Sequence, residues 1–327
     1  MRAALAIVRD LLTEPPGLPH LPELPGRGPG ADLIGRGAAL LTDLPTELQP
    51  HGWRLVDHPG RDARQAASYL RSDLDDLAEA YDGYSGPLKI QVTGPWTLAA
   101  SLWLARGERS LTDPGARRDL VGSLAHGVVE HLAAVRGAAP GAEPIVQLDE
   151  PSLPAVLAGH LPTASGFGVV RALDVIEAEQ GLAQVVAAIH AAGAGSVVHS
   201  CAADVPVALL RRAGAQAVSL DISLLGTAAW EELGEAIDGG LRLWAGAVPT
   251  TRGPRAEARP DGLPTDSEVL DSVRRPWRGL GLPVADLGQV LVTPSCGLAG
   301  ASPDLARAVL GRARAAARAL ADAAYEH

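Results

Sequence analysis

Six short apolar runs punctuate the chain: LKIQVTGP near residue 90, PIVQLDEP near 146, SVVHSC near 198, QAVSLDIS near 219, LRLWAGAVP near 244 and QVLVTPSCG near 291. Each is mostly apolar and gives way to polar, Gly or Pro residues, as expected of parallel strands covered on both faces. Between them lie stretches with apolar residues at helical spacing. GARRDLVGSLAHGVVEHLAAVRG and ALDVIEAEQGLAQVVAAIHAAG end near glycine, as helices often do. ADVPVALLRRAG reads as a shorter helix, and SPDLARAVLGRARAAARALADAAYE as a long last one with Ser302 as its N-cap. Alternating strands and helices predict an α/β fold built on a parallel sheet. Six such strands, with at least one less visible, suit a (β/α)8 TIM barrel. A doubly wound sheet is the competitor, but no Gly-rich nucleotide fingerprint follows a first strand. No repeat or linker divides residues 1–327, so a single barrel domain is expected. TTRGPRAEARPDGLPTD (250–266) is the most loop-like stretch and reads as an exposed loop at a barrel end.

Composition narrows the picture. The 327 residues are 47% hydrophobic, enough for a sizeable core and too apolar for disorder. The formal charge of -10 argues against a nucleic-acid or anionic-membrane partner. No apolar run reaches the ~18 residues of a membrane span, and no signal peptide is evident, so a cytoplasmic location is expected. Two cysteines, Cys201 and Cys296, make no disulfide framework. In a reducing compartment they read as buried thiols, metal ligands or a nucleophile. Lys89 is the only lysine; the other basic residues are arginines.

The polar residues fall at the strand ends. Asp149 and Glu150 close PIVQLDEP, His199 and Cys201 close SVVHSC, Asp221 closes QAVSLDIS, and Cys296 closes QVLVTPSC. In a barrel these points converge on the C-terminal rim, where active sites lie. His199, Cys201, Cys296 and one of the strand-end carboxylates form a credible zinc set, since zinc takes imidazole, thiolate and carboxylate ligands. Residues i and i+2 of an extended segment point the same way, so His199 and Cys201 can face one ion. Taken singly, a buried Cys is most often a small core residue. An acid and thiols meeting at one rim are costly to bury without a partner.

Together TGPWTLA, VQLDEPSL, HSC, VSLDIS and VTPSCGL resemble the C-terminal catalytic barrel of the cobalamin-independent methionine synthase family, in order and at similar spacing. They span roughly residues 88 to 300, with weaker similarity in PHGWRL. The resemblance implies zinc ligands at His199, Cys201 and Cys296, and a fourth at Asp221, where the family usually has the longer glutamate. It implies that Asp149 contacts the amino group of homocysteine. The implied reaction is methyl transfer to the homocysteine thiol, giving methionine, with the metal holding the sulfur as a thiolate.

Three positions depart from the family's folate features. Trp244 stands where the general-acid histidine is expected, Ser101 where a folate-stacking tryptophan is expected (Trp103 lies two places on), and Ala155 where a glutamate is expected. The departures point away from ordinary methyltetrahydrofolate as donor. Single-barrel relatives can take the methyl group from a methyl-corrinoid, which makes a corrinoid protein an expected partner. Family barrels begin with a strand carrying a Gly-Ser pair, whereas this sequence opens in RAALAIVRDLL, read as the first helix; a first strand upstream of Met1 is expected. The alternatives are a uroporphyrinogen-decarboxylase-like lyase on the same barrel and a non-catalytic zinc- or thiol-binding homologue. Most of the six tryptophans are expected to be core or interface filler, and His126, His131 and His190, in helical stretches, to be ordinary exposed or half-buried residues.

Overall fold

The computed structural model describes residues 1–251 and 262–325. All six apolar runs are strands of one parallel sheet. They are β3 (Gly86–Thr93), β4 (Ala142–Asp149), β5 (Gly195–Ser200), β6 (Ala217–Asp221), β7 (Arg242–Val248) and β8 (Leu291–Pro294). They pair in sequence order, each with the next. β1 (Thr46–Gln49) and β2 (Gly52–Leu55) form a separate antiparallel hairpin.

The helices are α1 (Arg2–Leu12), α2 (Leu33–Ala38), α3 (Arg61–Ala80), α4 (Pro95–Ser101), α5 (Pro114–Ala138) and α6 (Leu153–Ala158). After them come α7 (Val175–Ala191), α8 (Val207–Arg212), α9 (Thr227–Asp238), α10 (Asp266–Gly279) and α11 (Pro303–Tyr325). The predicted helices are present within these bounds, and Ser302 Oγ accepts from Leu305 N at 3.2 Å to cap α11. No helix of the described residues is long and apolar enough to cross a membrane.

The sheet curls into a half-barrel. Ile145 of β4, Val197 of β5, Ala217 of β6, Trp244 of β7 and Leu291 of β8 meet Leu18 in one apolar cluster on the inner side. Residues of the opposite face, such as Leu88, Ile90, Val146, Leu148, Val198 and Val218, are at most 1% exposed. They belong to a core cluster that runs from Leu5 to Leu320. Helices thus cover the outside, and side chains fill the inside, as in TIM barrels.

Of the barrel expected to lack its first strand, a half-barrel is present. Six parallel strands form among the described residues, and a seventh segment only touches the sheet. Lys89 N donates to Pro19 O, and Leu21 N donates to Lys89 O, both at 2.9 Å. This is a single parallel bridge at His20. Pro19 and Pro22 bracket that bridge; proline has no N–H to give a ladder, so pairing stops there. β8 remains an edge strand among the described residues. Outside it, Val8 and Leu12 of α1 pack on Leu310 of α11. Of the loop expected at 250–266, residues 252–261 lie outside the described residues. Thr265 opens α10 with a reciprocal capping box to Glu268.

Candidate metal centre

Strand alternation decides which side chains enter the half-barrel. On β4 Leu148 points into the helical core while Asp149 faces inward, beside His199 of β5 in the parallel register. Glu150 turns back out. Its Oε1 accepts from Trp96 N, and its Oε2 from Thr97 N and Thr97 Oγ1, each at 2.8 Å. These are the first backbone donors of α4, whose N-cap Gly94 has no side chain to offer. A Cβ on Gly94 would lie 2.4 Å from Glu150 Oε1, so glycine is required for this carboxylate to cap the helix. Burial pushes the Glu150 pKa up to about 7 against these three donors. Of the adjacent acids, one faces the lumen and the other is a structural cap.

His199, Cys201 and Cys296 meet at the rim: one ligand atom from each lies within 4.8 Å of the others. The Sγ atoms of Cys201 and Cys296, 95 residues apart in sequence, are 2.8 Å apart. His199 Nδ1 lies 3.0 Å from Ser219 O and 3.2 Å from Ser219 Oγ. With Nδ1–H donating to the carbonyl, Nε2 is the nitrogen free to bind a metal, and Ser219 fixes the ring. Hydrogen bonds from Cys201 and His199 pull the Cys296 thiol down. Cys201 is pushed up by the same bond to Cys296 and by burial. Burial pulls His199 down, but its bond to Cys296 and the charge of Asp149 outweigh it and raise the pKa. A shared thiol–thiolate pair beside an imidazole is the donor set zinc prefers. Tetrahedral Zn–S bonds of about 2.3 Å need the sulfurs about 3.8 Å apart, so they would spread by about 1 Å to hold an ion. His199, Cys201 and Cys296 fit zinc in residue type and convergence, with one coordination position left over.

Asp221 lies outside this cluster. Its Oδ1 accepts from Ser223 N at 3.0 Å and Ser223 Oγ at 2.6 Å, capping the turn after β6. An aspartate at a strand end readily bonds its own backbone two residues on, and the short side chain takes that local partner. Trp244 is 8% exposed in the apolar floor with Val197 and Ala217. Ser101 ends α4, and Ala155 lies in α6. Trp103 braces the β1–β2 hairpin: the ring centroid of His51 lies 5.1 Å away, edge-on, and the Arg109 guanidinium 4.7 Å over its face.

The wall below the cluster is polar. Lys89 and Gln91 of β3 and Gln147 and Asp149 of β4 alternate with buried apolar residues, and His199 of β5 follows the buried Val198. Glu23, just past the His20 bridge, joins them, its Oε1 2.9 Å from Arg36 Nε. Arg36 also binds the fully buried Asp73, which takes two further bonds from Arg27. Burial raises the pKa of Glu23, with Arg36 opposing. Burial likewise raises Asp149, with His199 and Lys89 opposing. Two enclosed carboxylates of raised pKa make a favourable place for an incoming cation. Glu23, Gln147 and Ser219 were not among the residues singled out from sequence, and Lys89 was noted only as the one lysine. For the strand residues a signal was there: Lys89 and Gln91 break the apolar run of β3, and Gln147 and Asp149 that of β4, two positions apart.

No protein-family model matches the chain. No curated protein matches it either. Among solved structures it is similar to a B12-independent methionine synthase from Shewanella sp. W3-18-1 in complex with selenomethionine, at 17% identity and a TM-score of 0.51. The match covers 76% of this chain and 66% of that one, just under two thirds of its length. A proposed fructose-1,6-biphosphate aldolase from Coccidioides immitis matches at 15% identity and a TM-score of 0.29, over 76% and 84% of the two chains. The carboxyl transferase domain of Rhizobium etli pyruvate carboxylase with 3-bromopyruvate matches at 15% and 0.28, over 77% and 44%. At these identities the first likeness speaks for the fold, and the other two carry no argument.

Proposed function

We propose that this chain is a zinc-dependent methyltransferase that methylates the thiol of homocysteine. The observation that carries the reading is the meeting of His199, Cys201 and Cys296 at the rim, directly above the inward-facing Asp149. Three protein ligands with an open fourth position are characteristic of catalytic rather than structural zinc. Zinc, when bound, supplies Lewis acidity that lowers the pKa of an acceptor thiol. His199 and the two cysteines hold the metal, Ser219 orients the imidazole, and Asp149 with Glu23 takes the ammonium of the amino acid. The transfer forms an S–CH3 bond, breaks the donor's bond to the same methyl carbon and releases the thiol proton. The solved neighbour was captured with selenomethionine, a methylated selenium amino acid of the same shape as the product.

A methyl-corrinoid is the better donor candidate. Trp244 is buried in the floor and offers no acid, and Trp103 is taken up against His51 and Arg109. Methyltetrahydrofolate needs an acid to activate its nitrogen leaving group, whereas a cobalt-bound methyl does not. The donor cluster also favours this reading over a metal-free lyase.

The test is methionine formation by zinc-loaded protein from L-homocysteine with methylcobalamin or methyltetrahydrofolate. Turnover with methylcobalamin, abolished in Cys201→Ser, is expected. Absence of methionine with both donors, from protein shown to hold zinc, would overturn the reading in favour of a non-catalytic homologue.

A further inference from the structure

One cation on the inner wall has no part in the proposed chemistry. Lys89 is the single lysine among 28 basic residues, and it faces the lumen rather than solvent. Its Nζ donates to Gln91 Oε1 at 2.9 Å and to Gln147 Oε1 at 3.3 Å. Gln91 Nε2 in turn donates to Leu21 O at 2.8 Å, and Gln147 Nε2 to Asp149 Oδ1 at 2.6 Å.

A side-chain amide has an acceptor end and a donor end. By occupying both acceptor ends, the ammonium forces both NH2 groups the other way. One then ties the Pro19–Leu21 segment to β3, and the other meets the Asp149 carboxylate. Reversed, Gln147 would present its oxygen to the carboxylate and its NH2 to the ammonium, and both contacts would be repulsive. No hydrogen bond to Asp149 Oδ2 forms among the described residues.

We propose that Lys89 is a positioning residue: by setting the polarity of the Gln147 amide, it holds Asp149 with one oxygen bonded and the other free for a cationic group on the acceptor. The role assigned to that free oxygen rests on the proposed function; the Lys89–Gln147–Asp149 relay does not. The residue type fits the task. Two convergent amide oxygens suit a compact ammonium with three rotatable donors, while a guanidinium is planar, longer and fixed in its fork. A chain that uses arginine at every other basic position keeps lysine where an arginine does not fit.

Two measurements test it, on the full chain. The first is NMR of the Gln147 side-chain amide in 15N-glutamine-labelled protein. A downfield, slowly exchanging proton is expected in the native protein and is lost in Lys89→Met, with Lys89→Arg failing to restore it. The second is calorimetric affinity of zinc-loaded protein for L-homocysteine and for 4-sulfanylbutanoate, which lacks only the amine. The native protein is expected to favour L-homocysteine roughly 10- to 100-fold, the worth of a charge-assisted hydrogen bond. Lys89→Met and Gln147→Met are expected to lose most of that preference while keeping zinc and the affinity for 4-sulfanylbutanoate. Gln147→Met, which leaves the lysine in place, serves if Lys89→Met does not fold. An amide signal and a preference both unchanged in Lys89→Met would overturn the proposal, and so would equal loss of both ligands. A relay signal that responds to Lys89→Met in a protein with no amine preference would support the relay and overturn Asp149 as the ammonium site.

Discussion

The two faces of the sheet follow opposite rules. Outward, Leu88, Ile90, Val146, Leu148, Val198 and Val218 are apolar, buried under helices and interchangeable in kind. Inward, Trp244, Val197 and Ala217 close the floor. Above them rise Lys89, Gln91, Gln147, Asp149 and His199, each with a specific partner. The outer face makes the fold, and the upper inner face gathers the buried polar groups. Neighbouring residues on β4 therefore serve different ends, and substitutions there separate stability from function.

Leu148→Ala leaves a cavity under the helices. A cost of about 2–5 kcal/mol in denaturant unfolding is expected, with zinc binding unchanged. An equal loss of zinc would show that the two faces are not independent.

His131 of α5, expected to be exposed or half-buried, is instead buried at 7% exposure and gives the next effect. Burial, with Arg36 adding, lowers its pKa from 6.5 to about 4. The unfolded chain therefore takes up a proton between those values that the folded chain refuses. The stability is fully present above pH 6.5 and falls as pH drops toward 4, by about 3 kcal/mol at most. His131→Gln should flatten that acid limb in unfolding measured across pH; an unchanged slope would assign it elsewhere.

Glu150→Gln keeps an acceptor but turns one donor toward the α4 backbone. A loss of about 1–3 kcal/mol is expected, again with zinc retained. Its neighbour is the counter-case. Asp149→Asn should leave the melting temperature within a few degrees and weaken L-homocysteine binding roughly 10-fold or more. Strong destabilisation by Asp149→Asn would place that residue with the structural acids and end the contrast.

What could be read from sequence follows the same division. The strands were legible because outward apolar residues and trailing Gly or Pro mark them. The β1–β2 hairpin was not, since it turns through Pro50 and His51 rather than an Asn-Gly pair. The rim residues His199, Cys201 and Cys296 were legible because thiols and imidazole at strand ends are conspicuous. Asp221 is not among the converging ligand atoms, and the local bonds that Ser223 gives its carboxylate could not be read from sequence. The ion pairs of Glu23, Arg36, Arg27 and Asp73 span up to 46 residues and follow no local period. The single bridge at His20, cut short by the flanking prolines, is also not something strand patterns reveal.

The measurement that bears most directly on the account is zinc content of freshly purified, reduced protein, native and Cys296→Ser, by elemental analysis. The account predicts about one zinc per chain in the native protein, lost in the variant while its fold is kept. A native protein that holds no zinc, or a variant that binds it as well, would contradict it.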